Sequence, residues 1–130
     1  MKYYSMKEIT AMTNQSASAI RYYEKEEILP FIERDENGVR RYTENNLEWL
    51  HFILALRSTN MPIAEIKRYV HLYKQGDSTI RKRRTLLSNH KQKVEREVKR
   101  QQNYLARISK KITLYDDVST DLQKVTCSTY

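Results

Sequence analysis

Ser16-Ala17-Ser18-Ala19-Ile20-Arg21-Tyr22-Tyr23-Glu24 is the stretch on which the fold turns. Ser16 has the side chain of a helix N-cap, whose oxygen accepts a first-turn amide. A helix is predicted from Ala17 to about Glu26, with Ala19, Ile20 and Tyr23 directed inward. Upstream, Ser5-Met6-Lys7-Glu8 has the S-x-x-E spacing of a capping box and starts an earlier helix, with Ile9 and Met12 on a narrow apolar face. Asn14, which tolerates left-handed backbone, suits the turn between them. Two short helices joined by a tight turn form a helix-turn-helix.

Working toward the C-terminus, Leu29-Pro30 stops the second helix, because the residue before proline is pushed out of the α region. Phe31 to Tyr42 reads as a small hairpin, a wing, turning at Asn37-Gly38. Thr43 is the expected cap of a third helix, Glu44 to about Ser58, which is apolar nearly all round and therefore belongs at the centre of the core. Pro62 opens a fourth helix, whose stripe Ile63, Ile66, Tyr69, Val70 and Tyr73 ends near Gly76 as a C-cap.

From Asp77 the period changes. Ile80, Arg84, Leu87, Lys91, Val94, Val98, Gln101, Leu105, Ile108, Ile112 and Tyr115 follow one another in strict alternating steps of 4 and 3, and eight of these eleven residues are apolar. A helix of that span is about 55 Å long at ~1.5 Å per residue. Such a seam needs a partner, and the simplest is its own copy in a coiled coil. The expected dimerisation residues are Ile80, Leu87, Val94, Val98, Leu105, Ile108, Ile112 and Tyr115. Polar Arg84, Lys91 and Gln101 on the seam lower its stability and help fix register. Asp116-Asp117 is expected to end this helix. The organisation is thus expected to be mainly α: residues 1–76 form a winged helix-turn-helix domain with a second helix pair, 77–117 the dimerisation helix, and 118–130 a weakly ordered tail.

The chain has 130 residues, 24 Lys and Arg against 16 Asp and Glu, with 2 Gly, 2 Pro and 1 Cys. One thiol makes neither an internal disulfide nor a zinc site of paired cysteines. Scarce glycine leaves little room for a phosphate-cradling loop or a nucleophile elbow. No long apolar run or signal sequence is visible, so a cytoplasmic protein with no membrane partner is expected.

Catalytic chemistry finds no footing, since His51, His71 and His90 lack a matching cysteine or carboxylate pattern and Asp116-Asp117 points to different sides of a helix. Neither a catalytic residue, a metal nor a cofactor is expected. Nucleic-acid binding is better served. Ser16, Ala17 and Ser18 bring small side chains and free amides to a helix N-terminus. Arg21, one turn on, suits a guanine edge or a phosphate. The hydroxyls of Tyr22 and Tyr42 suit phosphate oxygens, and Arg40 and Arg41 project to opposite faces of the wing strand. The competing reading of Arg21 is an ion pair with Glu24 three residues on.

These segments, together with Asn37-Gly38-Val39-Arg40-Arg41-Tyr42 and Leu56-Arg57-Ser58-Thr59-Asn60-Met61-Pro62-Ile63-Ala64-Glu65-Ile66, resemble the MerR family of transcriptional regulators over residues 3–117. The resemblance implies a winged helix-turn-helix, a second helix pair and an antiparallel coiled coil joining two subunits. It implies that Ser16, Ser18, Arg21 and Tyr22 face DNA and that Arg40 and Tyr42 contact its backbone from the wing. It also implies a pseudo-palindromic promoter site whose spacer is distorted, so that RNA polymerase is reached indirectly through the DNA. Asn14, Gln15 and Ala19 depart from the family pattern, which bears on base preference.

Tyr73 to Thr79 and the following Arg83 and Leu86-Leu87 are similar to the family's aldehyde and thiol-stress branch, whose third-helix cysteine is replaced here by Ala55. Cys127 reads as an incidental thiol. A candidate apolar effector cleft for a small molecule is expected between the fourth helix and the partner's coiled coil, lined by Tyr69, Tyr73 and Leu87. The alternative function is an architectural or excisionase-like DNA bender without effector, favoured by the short tail after the coiled coil. Residues 1–76 carry 11 basic and 10 acidic residues, and 77–130 carry 13 and 6. The positive excess therefore lies outside the expected reading head, so base reading must rest on a few placed residues rather than on bulk charge.

Overall fold

The structure, a computed structural model, describes residues 2–120. In chain order it contains β1 (Tyr3–Tyr4), α1 (Met6–Thr13), α2 (Ala17–Lys25), β2 (Glu33–Arg34), β3 (Arg40–Thr43), α3 (Glu44–Ser58), α4 (Ile63–Lys74), a 3-10 turn (Asp77–Thr79) and α5 (Ile80–Thr120). Two units are distinguished, with the division after Ser88.

Local chemistry sets the helix starts. Ser5 accepts the Glu8 amide at 3.1 Å while Glu8 accepts the Ser5 amide at 3.1 Å, completing the capping box. Ser16 accepts the Ala19 amide at 3.1 Å. Thr43 and Asn46 cap α3 reciprocally, side chain to backbone, at 3.1 and 2.9 Å. Asn14 ends α1 at φ 54, as its tolerance of left-handed backbone predicts.

The helix ends are less ordinary. After α2 the amides of Glu27 and Ile28 return to the carbonyls of Glu24 and Tyr23, and after α3 those of Asn60 and Met61 return to Arg57 and Leu56. Both are Schellman closures with a left-handed residue outside the cap, here Glu27 (φ 61) and Asn60 (φ 68) rather than glycine. Ile28 and Met61, brought back by these bonds, are fully buried. After α4 the Gly76 amide returns to the Tyr73 carbonyl at 3.0 Å, and Gly76 takes φ 96 and ψ -166, a conformation open to glycine, before the 3-10 turn.

The sheet has the order β1-β3-β2, antiparallel throughout, with Tyr3 opposite Thr43 and Tyr4 opposite Tyr42 on one side of β3, and Glu33 opposite Arg41 and Arg34 opposite Arg40 on the other. The hairpin loop is longer than an Asn-Gly turn requires. Asp35 organises it: its side chain accepts the amides of Asn37 and Val39, its carbonyl accepts the Gly38 amide, and of the Asn37-Gly38 pair only Gly38 has a positive φ.

The core of the first unit gathers Ile9 and Ile20 from α1 and α2, Tyr42 from β3, Leu47, Trp49, Leu50, Ile53 and Leu56 from α3, and Ile66 and Val70 from α4. Met12 is exposed, contrary to the expected apolar face of α1, and Thr13 is buried instead, its hydroxyl donated to the Ile9 carbonyl at 2.7 Å. His51, within α3, is exposed. α5 continues through Asp116-Asp117 to Thr120, so those acids do not terminate it. Cys127 and the rest of the expected tail beyond Thr120 lie outside the described residues.

Two predictions follow from this packing. Asn46 is 1% exposed, and its amide nitrogen donates to the carbonyls of Pro30 and Phe31 at 3.1 and 3.3 Å. Asn46→Leu strips partners from those carbonyls and from the Thr43 amide, so it should cost about 1–3 kcal/mol in urea unfolding; a loss below ~0.5 kcal/mol would contradict this role. The second concerns Lys67, whose ammonium lies 2.6 Å from the Glu26 carboxylate. That hydrogen bond holds the Glu26 carboxyl below its ordinary range and the Lys67 ammonium above its own. A lowered acid stabilises above its unfolded pKa and loses the contribution as pH falls through the folded value; a raised base loses it as pH rises through its folded value. The melting-temperature difference between the wild type and Lys67→Met should therefore be level near neutrality and shrink in strong acid and strong base. A difference unchanged into acid would show that the pair contributes nothing.

Candidate nucleic-acid interface

Burial of Ile20 decides which side of α2 faces water. With Ile20 fully buried and Tyr23 half-buried, Ser16, Ser18, Arg21, Tyr22 and Lys25 are exposed, and Ala17 is partly so. The amides of Ala17 and Ser18 stand in the first turn, where a helix has no carbonyl of its own to offer them. Ser16 Oγ lies 3.1 Å from Ser18 Oγ, so the two hydroxyls form one polar edge at that terminus. Arg21 follows one turn along, and Lys25 one turn beyond Arg21. Lys25 was not singled out from the sequence, although its spacing of four from Arg21 on the same helix places it on the same face.

Glu24, the one acid of α2, and Glu26, which caps the helix, are both drawn away from this face. Arg40 Nε donates to Glu24 Oε2, and Arg34 Nη2 lies 3.8 Å from Glu24 Oε1. Glu26 pairs with Lys67 of α4. The predicted rival partner of Arg21, Glu24, is thus committed to the wing, and Arg21 has no ion pair among the described residues.

The wing divides its residues by strand alternation. Arg40 and Tyr42 lie on the face turned toward α1 and α2; Arg41 lies on the other. Tyr42 is 1% exposed and its hydroxyl approaches Met6 Sδ at 3.8 Å, with burial foremost in pushing its pKa up. Its place is therefore the core, and the expected phosphate contact through its hydroxyl is not available in this arrangement. Arg40, with a side chain 29% exposed, is likewise turned inward onto Glu24. On the opposite face the Arg41 guanidinium lies 4.1 Å from the centre of the Tyr3 ring and 3.6 Å from Glu33, with its Nε buried and without a hydrogen-bond partner. The structure thus brings Ser16, Ala17, Ser18, Arg21 and Tyr22 together on one helix and separates Arg40 and Tyr42 from Arg41 by the thickness of the sheet.

Of the candidate effector residues, Tyr69 and Tyr73 are engaged by Trp49, with ring centres 6.1 and 4.8 Å from it, and Arg83 lies 5.2 Å from the Tyr73 ring centre. Leu87 packs, half-buried, against the core of the first unit. The seam residues Ile80, Val98, Leu105, Ile108, Ile112 and Tyr115 are exposed in the single chain, and Val94 is partly so. Among the described residues no group of three or more His, Cys, Asp or Glu converges as a metal site, and no helix is long and apolar enough to cross a membrane.

Residues 4–72 match the model of the MerR HTH family regulatory proteins, and residues 47–111 match the MerR DNA-binding model. An uncharacterized HTH-type transcriptional regulator of Haemophilus influenzae is 36% identical over 100 residues, which span 77% of this chain and 74% of that protein. The fold is similar to that of HiNmlR, a MerR family regulator lacking the sensor domain and bound to promoter DNA, with a TM-score of 0.84, 31% identity and coverage of 92% of this chain and 95% of that one. A MerR family transcriptional regulator from Bacillus thuringiensis gives a TM-score of 0.79 at 35% identity, covering 86% of this chain and 98% of that one. With the family model spanning more than half of its residues, this chain belongs to the MerR family of helix-turn-helix transcriptional regulators.

Proposed function

We propose that this protein is a homodimeric, sequence-specific regulator that binds a pseudo-palindromic promoter site and distorts the spacer DNA, so that RNA polymerase is affected through the promoter. The observation that carries this reading is the sorting of charge on α2: its exposed face keeps Arg21 and Lys25, while Glu24 and Glu26 are paired elsewhere. In the bound form, Ser16, Ala17 and Ser18 offer hydroxyls and amides to the phosphates at the groove edge. Arg21 reads a base edge, and Tyr22 reaches the backbone. Arg41 supports the wing's approach from the outer face of β3. The protein acts in the cytoplasm by binding and not by catalysis.

Dimerisation follows from the seam of α5. Leu105 is 61% exposed and Ile108 59% exposed in the single chain, at the heptad spacing that a second helix covers. Two copies then present two α2 helices to two half-sites, and the symmetry of the operator mirrors that of the dimer.

The reading is tested by selecting duplexes from a random library with immobilised protein. The expected product is a pair of inverted half-sites; enrichment of no sequence would overturn it. On a selected duplex, Arg21→Ala should weaken binding by about 1–3 kcal/mol and relax preference at one base pair per half-site. Undiminished binding in a gel-shift titration would remove Arg21 from the interface. Leu105→Asp should shift the protein from dimer to monomer in sedimentation and weaken operator binding with it, whereas an intact dimer would reject the seam.

A further inference from the structure

We propose that Glu24 is a positioning residue that sets how far binding to the correct site exceeds binding to any DNA, by clamping the wing to α2 and withholding two arginines from indiscriminate phosphate contact. This rests on the DNA-binding reading above. Arg34 and Arg40 stand directly opposite each other in the hairpin register, a placement in which like charges repel. A single carboxylate serves both: Glu24 Oε2 accepts from Arg40 Nε, and Glu24 Oε1 lies 3.8 Å from Arg34 Nη2. Arg34 Nη1 also donates to the Gly38 carbonyl at 2.9 Å, so the same charge cluster reaches the hairpin loop.

Glu24 stands on the helix that carries Arg21, three residues away. Any loosening of the Glu24 clamp therefore changes the placement of the wing relative to the side chain expected to read a base. The Glu24 side chain is only 23% exposed, where solvent screens an ion pair less than at an open surface. The other ion pair of the hairpin, Arg41 with Glu33, lies on the opposite face of the sheet and joins strand to strand, with no link to α2.

Removing the carboxylate has two consequences of opposite sign. The wing loses its fixed position, which lowers affinity for the selected site, and two guanidiniums become free for any phosphate, which raises affinity for random duplex. Glu24→Gln should narrow the ratio of selected-site to random-duplex affinity by tenfold or more. It should also steepen the dependence of random binding on salt, by about 0.9 in the log–log slope for each added phosphate contact. Glu24→Asp should restore part of the ratio, and Glu24→Gln with Arg40→Gln should bring the random slope back toward wild type.

A merely structural role predicts weaker binding to both duplexes with an unchanged slope, and that result would overturn the proposal. Arg40→Gln breaks the clamp from the other side and keeps the test open should Glu24→Gln not fold: it must lower selected-site affinity without steepening the random slope, and unaltered selected-site affinity would reject the clamp. If the wild type itself does not discriminate between duplexes, the DNA-binding reading falls and this proposal with it. If the wild type discriminates and folded Glu24→Gln does so equally well, only the role of Glu24 is lost.

Discussion

Ile20 has no exposed surface, and much of the molecule is arranged around that requirement. Fully burying such a side chain is worth about 1.5–3 kcal/mol, enough to fix the rotation of a helix barely more than two turns long. Once α2 is seated on Ile20 with Tyr23 beside it, Ser18, Arg21 and Tyr22 have no alternative but to face water. The prospective reading surface is thus the reverse side of a packing decision. α1 supplies Ile9 to the same core and β3 supplies Tyr42, so the elements flanking α2 are held by the cluster that orients it.

Electrostatics then sorts what hydrophobic burial has laid out. α2 carries one acid, Glu24, close to its cations, and an isolated helix would pair it with Arg21 for a few tenths of a kcal/mol. In the folded chain, Glu24 meets Arg40 and Arg34 of the wing and Glu26 meets Lys67 of α4. These contacts link α2 to its neighbours and leave the outward face positive. The formal charge of residues 1–76 is nearly balanced, with 11 basic and 10 acidic residues, yet the surface offered by α2 is not. Placement, more than composition, gives the α2 face its positive charge.

Much of the architecture was legible because its signals are short in range. Ser5 with Glu8, Ser16 and Thr43 each announce a helix within one turn, and the 4-3 alternation from Ile80 to Tyr115 shows over any window of that segment. The left-handed positions at Glu27 and Asn60 were less visible: glycine would have advertised a Schellman closure, whereas these residues are held there by the burial of Ile28 and Met61 behind them. The two-residue strand Tyr3–Tyr4 is too short for any period to register and exists because β3, some forty positions away, offers it an edge. Of the candidate site, Ser16, Ala17, Ser18, Arg21 and Tyr22 fall on the exposed face their spacing predicts. Arg40 and Tyr42 do not, because alternation states only that they share a face, not which face is covered.

What the sequence by itself determined is therefore the five helices and the hairpin, the N-terminal caps of α1, α2 and α3, the family to which they belong and the apolar seam of α5, readable largely from neighbours within a turn or a heptad. Only the tertiary structure decided that Tyr42 is core, that Arg40 and Arg34 share Glu24, and that Arg21 keeps its charge unpaired among the described residues. The physical reason is that a side chain chooses between water, a nearby partner and a distant one by comparing free energies, and the distant partner enters that comparison only after the chain has folded around Ile20.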